Sequence, residues 1–465
     1  MMRLLIALGA PAVLAACADT ALVSTASAPR AGFALVAETT RRATGAETAW
    51  HQSAADVEAS QAKVRALVQG KSISAETAVR VALINNRRLQ AAYAELGLSA
   101  ADLWETALGP IPTLSLSVTN LGPSAATRTL EVALMGSLLD AATQKARSQK
   151  AELEFRAAQL EAVGTALAIA HQTRRAWVEA VGAFEAAALV RQAQETADAA
   201  SELAAELGRT GAMNKADQAR EHVFTAELAG EEAAAKLEAQ LAKEKLTRLM
   251  GLWGADIRFY VPDRLPQLPA RVPARSDLER LALANRVDLA AGRLELEQIA
   301  LEHRLAQSTR MLSDIELAVG GEAERDGGTT EKSPMIEVGF AIPIYDTGKL
   351  NQRRGEMAYM RAANILAQDA INARSEARSA HAAITGAHSI ARHWQQQVLP
   401  LRRTIDEEAL KSYNGMLTST FELLADAREG LEAQLNAAAA RRDYWLADAD
   451  ARAVVWGGTA TGEDG

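Results

Sequence analysis

The sequence predicts a mainly α-helical fold with a small β part: long antiparallel coiled-coil helices, two β-hairpins and an internal duplication. Composition is the first observation behind this. Of 465 residues, 49% are hydrophobic but only 4% aromatic, with 23% charged. Leu and Ala carry the apolar side, a mixture typical of long helices rather than of a compact enzyme core. The second is a heptad. Leu153, Leu160, Leu167 and Val181 share one row, and Val163, Ala170, Trp177 and Phe184 share another three residues on, the a/d spacing of a coiled-coil seam. The third is a repeat. Ala82-Leu83, Asn85, Leu89, Ala91 and Glu95-Leu96 recur as Ala282-Leu283, Asn285, Leu289, Ala291 and Glu295-Leu296, an offset of 200. Glu131-Val132, Asp140 and Arg147 recur as Glu337-Val338, Asp346 and Arg353 at an offset of 206, and Gly211 recurs as Gly415. The period far exceeds the roughly 20–50 residues of solenoid repeats, so the chain reads as a duplicated half-molecule.

The elements follow in order. Residues 1–16 read as a signal peptide: Met1-Met2-Arg3 is a positive start, Leu4 to Leu14 a short apolar run, and Ala15-Ala16 precede Cys17. The single cysteine of the chain stands at that boundary, which excludes a disulfide framework. Residues 17–71 form an N-terminal extended or anchor segment. The first repeat occupies 72–251. Ser74 to Leu108 is helical with Ser74 as N-cap, and Gly109-Pro110 and Pro112 stop it. A hairpin spans about 112–138, because Leu114, Leu116 and Val118 alternate with polar residues, as do Leu130, Val132 and Leu134. Ala141 to Leu207 is a proline-free helix of roughly 100 Å at about 1.5 Å per residue. A tip at 208–215 leads into a returning helix. Residues 252–275, rich in proline, form a linker. The second repeat, 276–456, copies the order: helix, hairpin over about 313–345 with Glu322 to Ser333 as a polar loop, long helix from Thr347 to Leu410 bent at Pro400, tip at 411–418, helix. Residues 457–465 read as a disordered tail.

Several function classes are excluded. No run of eighteen apolar residues exists to make a transmembrane helix. The net charge is −8 with no Lys/Arg block, so no nucleic acid partner is expected. The seven His residues are scattered, and the closest three, His381, His388 and His393, lack the spacing of a tight metal site. No catalytic constellation, phosphate loop or cofactor motif is present. The chain is expected not to be an enzyme and to hold no metal or cofactor.

The hairpins have one Leu/Ile/Val face and one Ser/Thr/Glu/Ala face. Alternation alone fits either a soluble sheet or a membrane barrel. Four strands cannot close a barrel, and a barrel in lipid tolerates no edges. A spanning chain must therefore oligomerise, with eight strands from two copies or twelve from three.

Three stretches carry a family resemblance: Ala78-Val79-Arg80-Val81-Ala82-Leu83-Ile84-Asn85-Asn86, Val338-Gly339-Phe340-Ala341-Ile342-Pro343-Ile344-Tyr345-Asp346, and Tyr413 to Arg428. In their duplicated order the chain resembles the TolC-like outer membrane factor (outer-membrane efflux protein) family, as a lipoprotein member. The resemblance spans Ser72 to Trp456. It implies a homotrimer whose hairpins share one transmembrane β-barrel that continues into a helical coiled-coil barrel. It also implies a periplasmic adaptor protein and an inner-membrane pump as partners, contact with outer membrane lipid, and an outer-membrane location with a large periplasmic part; Leu14-Ala15-Ala16-Cys17 separately resembles a bacterial lipoprotein signal, which implies lipidation at Cys17 and a lipid anchor. Carboxylates past the second tip narrow the periplasmic entrance in that family. Here Glu422 and Asp426 are one helical turn apart and share a face, and Asp217 is the first-half counterpart. Gly208, Gly211, Met213, Tyr413, Gly415 and Leu417 are the adaptor-docking tip candidates, with glycines for the turn and Met213 and Leu417 as exposed apolar contacts. The competing expectation is a periplasmic coiled-coil scaffold lipoprotein with no pore.

Overall fold

The computed structural model describes residues 19–119, 127–272, 277–309, 313–326, 328–341, 348–415 and 417–457. Helices α1 (Thr20–Ala26), α2 (Phe33–Thr44) and α3 (Ala54–Val68) come first. The segment expected to be extended is therefore helical over most of its described length. Ser53 shows why for α3: its hydroxyl accepts from the Asp56 N–H while Asp56 reaches back to the Ser53 N–H, a capping box. Next come α4 (Ala75–Asn85), α5 (Arg87–Leu108), strands β1 (Thr113–Thr119) and β2 (Thr127–Ser137), the 72-residue α6 (Leu138–Arg209) and α7 (Lys215–Leu249). The second half holds α8 (Leu278–Asn285), α9 (Val287–Ser308), β3 (Ser313–Asp326), β4 (Thr329–Ala341), α10 (Lys349–His393), α11 (Leu399–Asn414) and α12 (Thr420–Ala453). The two halves share one element order.

The expected helix from Ser74 to Leu108 is split at Asn86. Its backbone is extended (ψ 125°), and its Oδ1 accepts from the Leu89 N–H at 3.1 Å. An Asn inside an apolar helical pattern here works as the N-cap of a second helix. At Pro400 the expected bend takes a specific form. Trp394–Val398 is a π-turn, with the Leu399 N–H bonded to Trp394 O, placed just ahead of the proline that lacks a donor.

The chain divides into two compact units. One comprises the described residues of Met1–Val36 with Tyr93–Ala162 and Asp288–Asp369; the other comprises Ala37–Ala92, Val163–Val287 and the described part of Ala370–Gly465. The first holds a four-stranded antiparallel sheet in the order β1-β2-β3-β4. The expected polar loop from Glu322 to Ser333 is instead ladder, because pairing continues to Asp326 opposite Thr329. Polar alternation there marks a wet sheet face, not a loop.

Both units bury apolar side chains: the first buries Tyr93, Leu96, Leu103 and Phe155, and the second has a larger cluster. Val64, Val68, Ile73, Val81, Trp177, Val181, Leu246, Met250, Phe259 and Leu265 form one buried cluster. The seam residues Val163, Leu167, Trp177 and Val181 are all buried. Trp177 Nε1 donates to Ile73 O at 2.8 Å, satisfying its one polar atom. The proline-rich stretch expected to be a linker is part of this core. Phe259 is fully buried, and Ser72 and Tyr260 form a parallel bridge. Asn85 Nδ2 donates to Met250 O and Gly251 O at 3.2 and 2.7 Å, joining the end of α4 to the end of α7. Its repeat partner Asn285 bonds within its own helix, to Leu281 O.

Candidate functional site

The sheet sorts its side chains by register. Leu114 faces Leu134, Leu116 faces Val132 and Val118 faces Leu130. Leu134 faces Val319, which faces Ile336, and Leu317 faces Val338. Period-two geometry puts all of these on one face. That face is open: Leu116 is 66% and Ile336 74% exposed. The opposite face carries Ser115, Ser117, Thr129, Glu131, Glu316, Glu322, Glu324, Asp326, Glu331 and Glu337. Glu131 lies directly opposite Glu322, and Glu324 opposite Glu331. Like charges so placed repel, so this face requires water and cations. The ladder therefore separates charge by side: its paired carboxylates lie on one face, and Arg128, Arg325 and Lys332 lie on the other. The apolar row and the glutamate face were legible from alternation, but the direct pairing of Glu131 with Glu322 and of Glu324 with Glu331 was not, since it needs the register.

β1 and β4 each have one neighbour in the sheet. Both are edges, with backbone donors and acceptors facing outward. No described helix is long and apolar enough to cross a membrane.

The two tips lie in the second unit. After α6, the Gly211 N–H bonds Gly208 O and the Ala212 N–H bonds Leu207 O. Gly211 has φ +77°, open only to glycine without strain. Gly208 leaves room for the Gln218 amide, which lies 1.8 Å from where a Cβ would stand. Asn214 then caps α7 by accepting from the Asp217 N–H at 2.9 Å. Gly415 differs from expectation: its φ is −81°, so its turn does not require glycine. Met213 also differs, being half-buried, whereas Leu417 is 81% exposed. Tyr413 is half-buried.

The gate candidates separate into two kinds. Glu422 is the third residue of α12, and its carboxylate accepts from the Ser419 N–H at 3.0 Å while Ser419 Oγ accepts from the Glu422 N–H at 3.2 Å. Asp217 holds the same position in α7, accepting from Asn214 Nδ2 and Arg220 Nη1, both at 2.6 Å. These two acids terminate helices. One turn on, Asp426 and Glu221 occupy matching seventh positions, and both are withdrawn from full exposure. Glu221 is absent from the sequence-derived candidates. Counting from each N-cap, rather than from the tip glycines, would have found it.

Asp426 lines a groove of about 400 Å³ together with Asp406, Leu189, Phe224, Leu423 and Arg428. Burial and the neighbouring Asp426 push the Asp406 carboxyl above the usual range against the pull of Arg402, and Asp406 Oδ1 has no hydrogen-bond partner among the described residues. Burial and Asp217 push Glu221 up in the same way, with His222 opposing. Near the core, Asp450 goes the other way. Burial raises its carboxyl, but His171 Nε2 at 2.7 Å and Arg175 Nη1 at 2.6 Å together bring it below the usual range.

Among the histidines, His51 bonds Ser60, His222 bonds Ser201, His303 bonds Gln307 and His388 bonds Pro269 O. No group of three or more His, Cys, Asp and Glu within ligating reach occurs among the described residues. Cys17 and the Ile342–Asp346 end of the second quoted stretch lie outside the described residues, as do the signal peptide and all of the expected tail except Gly457.

No protein-family model and no curated protein matches the sequence. Solved structures do. The outer membrane channel CmeC of Campylobacter jejuni aligns with TM-score 0.69 at 19% identity, covering 84% of this chain and 87% of that one. VceC of Vibrio cholerae, an outer membrane protein, aligns with TM-score 0.66 at 17% identity over 85% and 97%. The open-state outer membrane channel MtrE of Neisseria gonorrhoeae gives 0.66 at 16% over 82% and 88%. The chain has the outer membrane factor fold. The aligned residues cover 87%, 97% and 88% of these three neighbours.

Proposed function

We propose that this chain is the outer-membrane channel component of a tripartite efflux or export system, carrying substrates from the periplasm to the exterior. Three copies join β4 of one to β1 of the next and close a twelve-stranded barrel. The carrying observation is the sheet: two unpaired edges, one exposed apolar face and one acidic face. Closure removes the edges, lipid takes the apolar face and the water-filled lumen takes the glutamates. Cys17 bears the lipid anchor, and the tips at 208–215 and 411–418 dock a periplasmic adaptor that links to an inner-membrane pump. Leu417, the most exposed large apolar side chain among the described residues of the tips, is the central contact. The entrance is narrowed by Asp426 with Asp406 and Glu221, while Glu422 and Asp217 hold the helix ends beside them.

Planar-bilayer conductance of the detergent-extracted chain, with its mass in solution, tests this. A trimer with ohmic, cation-selective steps is expected. A stable monomer that produces no steps overturns the proposal in favour of a poreless scaffold.

A further inference from the structure

The apolar face of the sheet ends in positive charge. β1 runs on to β2 through residues 120–126 and β3 to β4 through residues 327–328, and the register places both connections at the end of the sheet away from α5 and α6. At that end Arg128 lies directly opposite Arg325, and Lys332 sits diagonal to Arg325, opposite Ala323. All three are exposed, and none has an ion-pair partner among the described residues. The glutamates that might neutralise them point to the other face. Two arginines at a direct cross-strand position repel each other, and nothing in β1, which has no acidic residue, relieves this across a β4–β1 seam.

The rows below are apolar. On β3 they run from Ile315 to Ala323, about 26 Å of strand at roughly 3.3 Å per residue. That is near the ~25 Å apolar band of an outer-membrane barrel. The cations therefore stand where hydrocarbon gives way to headgroups, with Leu130 and Val132 lying beneath them for acyl chains.

We propose that Arg128, Arg325 and Lys332 form a site for the phosphate groups of a phosphorylated lipid in the leaflet facing the hairpin turns. The inference rests on the sheet lying in a membrane. Planar guanidinium forks grip phosphate oxygens in pairs and Lys adds a point charge. A bound phosphate turns the Arg128–Arg325 repulsion into a bridge. Lipid is favoured over free phosphate because the adjoining apolar rows bind the chains.

The test is lipid retention by the purified full chain in nanodiscs of phosphatidylethanolamine doped with a bisphosphorylated disaccharide lipid or its dephosphorylated form, read by native mass spectrometry. The wild type is expected to enrich the phosphorylated form, and R128Q/R325Q/K332Q to lose that enrichment by on the order of a hundredfold. Glu324→Gln, on the opposite face, is expected to keep it. If the triple variant fails to assemble, Lys332→Gln alone is expected to weaken retention several-fold, and R128K/R325K, which keeps the charge but loses the forks, to weaken it less than R128Q/R325Q. Equal enrichment in wild type and the cation variants overturns the site. So does full displacement of the doped lipid by inorganic phosphate. Wild-type conductance in phosphatidylethanolamine bilayers separates the two proposals: pores without phosphate selectivity sink the lipid site alone, and lipid selectivity without pores sinks the channel alone.

Discussion

Glu422 has two possible duties, and chemistry can separate them. Its carboxylate closes a capping box with Ser419. Loss of such a cap costs about 0.5–2 kcal/mol. Glu422→Ala removes both cap and charge, but Glu422→Gln keeps an acceptor for the Ser419 N–H. A melt should therefore show Glu422→Ala destabilised by about 1 kcal/mol and Glu422→Gln nearly unchanged. A conductance change shared by both variants would assign the charge to the entrance. Asp450 carries a pH signature. Its folded carboxyl lies below the usual range, so its stabilisation is full above the unfolded carboxylate pKa and is lost as pH falls through the folded one. Asp450→Asn should lower the melting temperature at neutral pH, and the gap from wild type should close on acidification. Asp406 has the opposite sign. Its raised carboxyl destabilises above its folded pKa, and protonation relieves the cost.

Among the elements, Gly251 shows how one connection depends on backbone freedom. Its φ is +66°, and a Cβ there would come within 2.7 Å of Asn85 O. Gly251→Ala strains both the turn and the contact that joins α4 to α7, and a loss on the order of 2 kcal/mol is expected in chemical denaturation. The sheet makes a different demand. Leu116 sits in the middle of the face assigned to lipid. Leu116→Arg should cost about 2–4 kcal/mol at the midplane and abolish insertion into bilayers, read as loss of heat-resistant oligomer. In a soluble sheet, the same exposed position would accept arginine with little change. Heptad and alternation made both kinds of element legible. The split at Asn86 and the folded stretch 252–272 were not, because each depends on a partner far along the chain: Leu249 O accepts from Asn86 Nδ2 at 2.8 Å, and Phe259 enters the cluster built by Trp177 and Leu246.

For the whole molecule, the acidic sheet face sets the expected selectivity. In the proposed trimer, three copies would multiply the Glu131 and Glu322 carboxylates into a ring, and rings of carboxylates favour cations. Glu131→Gln with Glu322→Gln should lower the cation-to-anion permeability ratio by on the order of twofold or more in reversal-potential measurements. An unchanged ratio would place the selectivity at the tips instead. The tips themselves were legible as turns from their glycines, yet only Gly211 needs glycine for its φ. The pairing of Glu221 with Asp426 became visible once both helices were counted from their caps.

Periodicity is a local property of a chain, so heptad, alternation and duplication could be read along one dimension. They were enough for helices and hairpins. Register, burial and hydrogen-bond partners are relations between distant residues, and no spacing along the chain encodes them. The direct pairing of Glu131 with Glu322 and of Arg128 with Arg325, the use of Glu422 and Asp217 as caps and the closure of the core by residues 252–272 all arise there. Each depends on which two segments meet, and that is set by the packing free energy of the folded chain as a whole.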